Sequence, residues 1–134
     1  QPIDYPERME SGTINVPGIA GLSAGVDFVK AKGVDAIRTH EIKLLQKLYD
    51  GLSSMRQVIL YLPRPDFQRF SPVLSFNTQH LSSTEMAQRY QHFHIAVRAG
   101  LQCAPSTHLF LKTIDMGTVR DSFLFATQKI LNSL

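Results

Sequence analysis

This 134-residue sequence is short of cysteine, of long apolar runs and of clustered charge. One cysteine, Cys103, rules out an internal disulfide framework and suits a reducing compartment. No apolar stretch approaches the ~20 residues that span a bilayer, and the first residues show no signal-peptide pattern, so a membrane role is not expected. The basic residues are scattered (Arg8, Lys30, Lys32, Arg38, Lys43, Lys47, Arg56, Arg64, Arg69). The formal charge of +3 therefore lacks the dense patch and aromatic signature that nucleic-acid binding needs. An anionic cofactor, or an acidic face on another domain, accounts for a mild excess equally well. The histidines form no metal pattern: His92 and His94 would share one face of a strand, with no further ligand at metal spacing. Repeats and low-complexity segments are also missing.

What is present is ordinary globular composition, 43% apolar and 19% charged, with enough length for one domain and a real core. Residues 1–17 read as an irregular lead-in, broken by Pro2, Pro6, Gly12 and Pro17. Ile19, Leu22, Val26 and Val29 recur at three and four, which predicts a helix from Gly18 to Lys32 stopped by Gly33. Gly18, Gly21, Ala24 and Gly25 lie within it, and the cost of the glycines leads us to expect close backbone packing there. A second helix runs from Val34 to Leu52, with Ile37, Glu41, Leu44, Leu45, Leu48 and Leu52 along one side. Arg38, Lys43, Lys47 and Asp50 form its solvated face.

Extended segments follow. Gln57 to Leu62 is rich in strand formers and ends at Pro63-Arg64-Pro65-Asp66; Pro72 to Thr78 is a second strand. Ser82 and Glu85 form a capping-box signature for a helix to Gln91. Ile95 to Arg98 is a third short strand, Ser106 to Leu111 a helical turn, Val119 to Leu124 a fourth strand and Thr127 to Leu134 a closing helix. Helices followed by a small, mostly antiparallel sheet make the fold class α+β.

The chemistry concentrates in Arg98-Ala99-Gly100-Leu101-Gln102-Cys103-Ala104-Pro105. It is a thiol on a loop between a strand and a helix start, with Arg98 five residues upstream and Arg120 in the next strand. Such cations, or backbone N–H groups after Ala104, favour a thiolate, and a thiolate attacks electrophiles. The plain alternative is a packed thiol. Arg120 offers a fork that grips both oxygens of a carboxylate, or else joins a structural ion pair for which Asp121 is the neighbouring candidate. His108, five residues after Cys103, is either a base near the thiol or an ordinary helix-face histidine.

Arg98 to Pro105 resembles the loop carrying the nucleophilic cysteine in cysteine desulfurases and selenocysteine-lyase-like enzymes. These form part of the class V aminotransferase branch of the pyridoxal phosphate (PLP) fold-type I proteins. Glu10-Ser11-Gly12-Thr13-Ile14-Asn15-Val16-Pro17-Gly18 resembles the E-x-G-T-x-N segment that opens the C-terminal part of that fold. Gly117 to Ser122 resembles the strand carrying the substrate-gripping arginine, and Pro72 to Asn77 matches a core strand of the small domain. The resemblance runs from about residue 7 to residue 125.

The resemblance implies that residues 1–134 are the small C-terminal domain of a longer enzyme, a three- to four-stranded sheet packed with helices. No segment resembles the S-x-H-K sequence bearing the cofactor lysine, so the large domain is expected elsewhere and this chain alone is expected to be inactive. It further implies that Cys103 forms a persulfide, that Arg120, aided by Arg98, holds the substrate carboxylate, and that Thr13 with Gly12 reaches a dimer partner's PLP phosphate. The implied reaction takes cysteine or selenocysteine to alanine and passes the sulfur to an acceptor protein, in a cytoplasmic homodimer. Three departures stand out. Asp121 directly follows Arg120, and a pair between them would weaken the grip on substrate. Leu101-Gln102 replaces the histidines many relatives carry before the cysteine, and Gln102 cannot shuttle a proton near neutral pH. Ala126-Thr127-Gln128-Lys129 replaces an acidic helix start. Two alternatives stay open: a class V relative acting on another amino acid, with Cys103 incidental, and a non-catalytic module docking a partner through its first two helices.

Overall fold

The computed structural model describes residues 3–9 and 12–122. The chain divides into two compact units, residues 1–36 and 37–134.

In the first unit a short 3-10 turn, Glu7–Met9, precedes helix α1, Val16–Lys32. The helix begins two residues earlier than the periodicity suggests because Asn15 caps it. The Asn15 side chain accepts the Gly18 N–H at 3.0 Å, and Pro17 occupies the first turn, where no N–H is needed. Gly33 ends it with φ 81°, its N–H reaching the Val29 carbonyl. The expected close packing at the helix glycines holds only at Gly18, where a Cβ would lie 2.5 Å from Asn15 Nδ2. Around Gly21 and Gly25 a Cβ would meet nothing within 4 Å. The tight glycine thus serves the cap, not a helix-packing seam.

The second helix, α2, spans Val34–Ser53. In the larger unit its residues Ile42, Leu45 and Leu52 join Leu74, Phe76, Met86 and Val119 in one buried cluster. Arg38 is not the solvated cation that its helical position suggests. It donates to the Phe67 carbonyl at 2.6 and 2.8 Å, and to that of Phe70 at 3.3 Å, pinning the connection after the first strand. Asp50 does stay at the surface, in an exposed pair with Arg64.

Four strands form one antiparallel sheet: β1 (Val58–Leu60), β2 (Val73–Thr78), β3 (Arg98–Gly100) and β4 (Thr118–Ser122), in spatial order β1-β2-β4-β3. Helix α3, Ser83–His92, crosses from β2 to β3, leaving room for β4 between them. It starts at the expected capping box: Ser82 Oγ accepts the Glu85 N–H, and the Glu85 carboxylate accepts the Ser82 N–H at 2.8 Å. The Ser82 hydroxyl, donating to the same carboxylate at 2.7 Å, and then the Ser82 N–H hold the Glu85 carboxyl below its usual range. The third strand lies later than Ile95 to Arg98, because His94 adopts φ 57° and breaks the extended run. His92 ends α3 and His94 sits in that turn, so the two do not share a strand face. Helix α4, Pro105–Phe110, matches the expected turn. Phe123 and Leu124 of the expected fourth strand, and the expected closing helix Thr127–Leu134, fall outside the described residues. The fold class is α+β.

Successive residues of a strand point to opposite faces. Leu74, Phe76 and Val119 therefore share the face packed by α2 and α3, while Ser75, Asn77, Thr118, Arg120 and Arg98 share the other.

Candidate functional site

The strand register lines up Ser75, Arg120 and Arg98 in one row across β2, β4 and β3. Directly opposed residues of antiparallel strands hold their Cβ atoms only ~5 Å apart, and like charges so placed repel. Arg120 makes this costlier: it is half-buried, and its Nε is buried without a hydrogen-bond partner among the described residues. An unmet buried donor costs ~1–3 kcal/mol. An anion between the two guanidiniums would satisfy both charges and the orphaned N–H. Asp121 does not do this. It follows Arg120 and so points to the packed face, opposite Leu74, where no ion pair with Arg120 forms. Burial pushes the Asp121 carboxyl up, opposed by the Ser122 N–H; burial also pushes the Tyr90 phenol up, with the Asp121 charge adding to it.

Cys103 lies where the sequence predicts, on the connection between β3 and α4, and its side chain is exposed. The connection is a tight turn closed by the Ala104 N–H to the Leu101 carbonyl at 2.9 Å. Both central residues, Gln102 at φ 47° and Cys103 at φ 60°, are left-handed. Positive φ at both positions marks the mirror-image turn that glycine and asparagine favour. For other residues it stores ~1–3 kcal/mol at each position.

Gln102 meets β4 from this turn. Its Nε2 donates to the Thr118 carbonyl at 2.9 Å, and its Oε1 accepts the Thr118 hydroxyl at 3.4 Å. Thr118 is 1% exposed and pairs with Gly100, the last residue of β3. Gly117 then lies so close to Gly100 that a Cβ on it would be 2.5 Å from the Gly100 Cα. Glycine at both places, with φ 61° and 100°, lets the two strand ends approach. Sequence reading treats Gln102 only as a lost proton shuttle and misses the tether, since neither its type nor its spacing marks a turn.

Two further polar residues are buried here. Asn77 donates to the Gly117 carbonyl at 2.9 Å and to the Tyr61 hydroxyl at 3.0 Å, while its Oδ1 has no partner among the described residues. His108 is buried, with Nδ1 2.8 Å from Thr113 Oγ1. That bond occupies one ring nitrogen in bracing α4 against the segment after it, so His108 is a core residue rather than a surface one.

The structure thus brings Arg98 and Arg120 together and ties the Cys103 turn to the strand that carries Arg120. Gly12 and Thr13 belong to the other unit, in the exposed segment before α1. Nothing lies within 4 Å of a Cβ built on Gly12, and Thr13 makes no hydrogen bond within the described residues. An open backbone beside a free hydroxyl suits an external oxyanion.

A family model described as Aminotransferase class-V matches residues 3–130. A probable cysteine desulfurase of Pyrococcus abyssi is 36% identical over 118 residues, covering 88% of this chain and 28% of that protein. One from Synechocystis is 29% identical over 126 residues, covering 94% and 30%. Among solved structures, the apo cysteine desulfurase of Thermococcus onnurineus superposes with a TM-score of 0.80 at 32% identity, covering 96% of this chain and 31% of that one. An Escherichia coli cysteine desulfurase in an S-sulfonic acid form gives 0.77 at 26% identity, covering 90% and 28%. The chain spans less than a third of the length of these relatives.

Proposed function

Because this chain belongs to the class-V aminotransferase family, we propose that it is the small C-terminal domain of a PLP-dependent cysteine desulfurase. One observation carries the reading: an exposed thiol in a turn tethered to the strand whose arginine, paired in register with a second arginine, has a buried N–H with no partner among the described residues.

Arg120 takes the substrate α-carboxylate through its planar fork, with Arg98 adding charge from the opposite strand. This fixes a small amino acid by its one invariant anionic end and leaves its side chain free to meet Cys103. The Cys103 thiolate then attacks the substrate sulfur. A sulfur–sulfur bond forms and the carbon–sulfur bond breaks. The electron pair of that bond stays with the carbon skeleton, which takes up a proton and leaves as alanine. The product on the protein is a Cys103 persulfide, from which an acceptor protein takes the outer sulfur.

PLP fits the residues this chain offers to the extent of one phosphate contact, from the Thr13 hydroxyl and the open backbone at Gly12. When bound, it supplies the electron sink that loosens bonds around the substrate Cα. The lysine that carries it belongs to a large domain outside this sequence, in an enzyme we read as a homodimer of the reducing cytoplasm. Accordingly the 134 residues alone release no alanine from cysteine.

The test uses the enzyme that contains this domain, with alanine and sulfide measured after addition of L-cysteine. Cys103→Ser removes the nucleophile and abolishes sulfur transfer. Retention of full desulfuration in that variant would remove Cys103 from the chemistry, and a wild-type enzyme that acts on another amino acid, with that activity kept in Cys103→Ser, would make this a different class V relative with Cys103 incidental.

A further inference from the structure

We propose that Gln102 is a positioning residue, which grips Thr118 and so holds the Cys103 thiol in register with the Arg98–Arg120 pair. The inference rests on the reading of Cys103 as nucleophile, and deepens it.

The turn is disfavoured by its own residues. Gln102 and Cys103 both adopt positive φ without glycine or asparagine, and a single bond from Ala104 to Leu101 closes the turn. Something outside the turn must therefore select this conformation, and the Gln102 amide is placed to do so. Thr118 presents a carbonyl that accepts and a hydroxyl that donates. A primary amide is the side chain with one donor and one acceptor to match both. Glutamate would offer acceptors alone, and methionine, of similar length, would offer no donor and only a weak sulfur acceptor.

The anchor point matters as much as the bonds. Thr118 is fully buried in β4, pairs with Gly100 of β3, and lies two residues before Arg120 on the same face. Arg98 stands two residues before Gly100 on β3. One residue is thus the meeting place of the cysteine turn and both arginine-bearing strands. Because an amide does not titrate, the grip holds unchanged across the pH range in which a histidine would gain or lose a proton.

Cys103 is the sole cysteine, so alkylation reports on it alone. The measurement compares iodoacetate, an anionic carboxylate, with neutral iodoacetamide on the 134-residue chain at low salt. Near the arginine pair the anion is favoured, so the rate ratio exceeds that of the same chain unfolded in urea, and added salt removes the excess. Gln102→Met keeps the bulk and loses both bonds; the ratio is expected to fall ~3-fold or more toward the unfolded value, with hydrogen exchange at Val119 unchanged. Gln102→Gly relieves the backbone without restoring the grip, so its ratio falls as well, and it serves if the Met variant does not fold. A ratio unchanged in the variants would overturn the proposal, as would a Gly variant matching wild type while Met does not, since the turn alone would then position the thiol. In the full enzyme, the same variants lower kcat for sulfur transfer with KM unchanged. A wild-type enzyme that does not desulfurate cysteine would defeat the functional reading, while the alkylation ratio would still decide what Gln102 does.

Discussion

The two faces of one small sheet obey opposite rules. On one, Leu74, Phe76 and Val119 press against α2 and α3, and every apolar contact helps the fold. On the other, Ser75, Arg120 and Arg98 stand in a row where the two arginines repel and a guanidinium N–H is unmet among the described residues. The same strands carry both, in strict alternation, so stability and chemistry are separated by one residue step. The unfavourable face is therefore the one with room for a ligand. The packed face needs nothing from outside, while an anion would complete the arginine face, as the proposed substrate carboxylate does.

The largest effect is expected on the packed face. Leu45 is fully buried, and Leu45→Ala should cost ~2–5 kcal/mol in urea unfolding, reducing activity only as far as it unfolds the protein. Arg120→Met should do the reverse. Charged hydrogen bonds of ~1.5–3 kcal/mol are lost from the substrate, so kcat/KM falls about 10- to 100-fold, while thermal stability holds or rises because an orphaned donor and a like-charge pair disappear. A large loss of stability in that variant would show that Arg120 is structural. Gly117→Ala joins the two effects: at φ 61°, with a Cβ against the Gly100 backbone, it should cost more than ~1 kcal/mol and loosen both β3 and the cysteine turn.

The smallest effect tests the intruder on the packed face. Burial raises the Asp121 carboxyl above its ordinary value. A raised carboxyl favours folding while protonated, and this contribution is lost as pH climbs through the folded pKa. Thermal scans of Asp121→Asn should therefore gain on wild type between pH 4 and pH 7, by less than Leu45→Ala loses. Equal melting curves at both pH values would show the carboxyl to be hydrated.

Much of this was legible beforehand because the signals are local. The capping box at Ser82 and Glu85, the stop at Gly33 and the apolar stripe of α2 each depend on residues within a turn or two. The thiol between a strand and a helix was likewise visible in Gly100 and Pro105. The misreadings concern residues whose partners are remote in sequence. Arg38 looked like a solvated cation until its hydrogen bonds placed it on carbonyls about thirty residues away. His108 looked like a surface or helix-face group, yet it is buried against Thr113. The start of β3 slipped because nothing in His94 announces a positive φ.

The amino-acid sequence by itself determined the α+β class, the helix boundaries near their caps, and the family motifs around Gly12, Cys103 and Arg120, since these are set by neighbours along the chain. Only the tertiary structure decided that Arg98 faces Arg120, that Asp121 turns away to the packed face, and that Gln102 reaches Thr118 to hold a strained turn. Those facts depend on strand register, and register is chosen by how well one whole face of the sheet buries its apolar side chains.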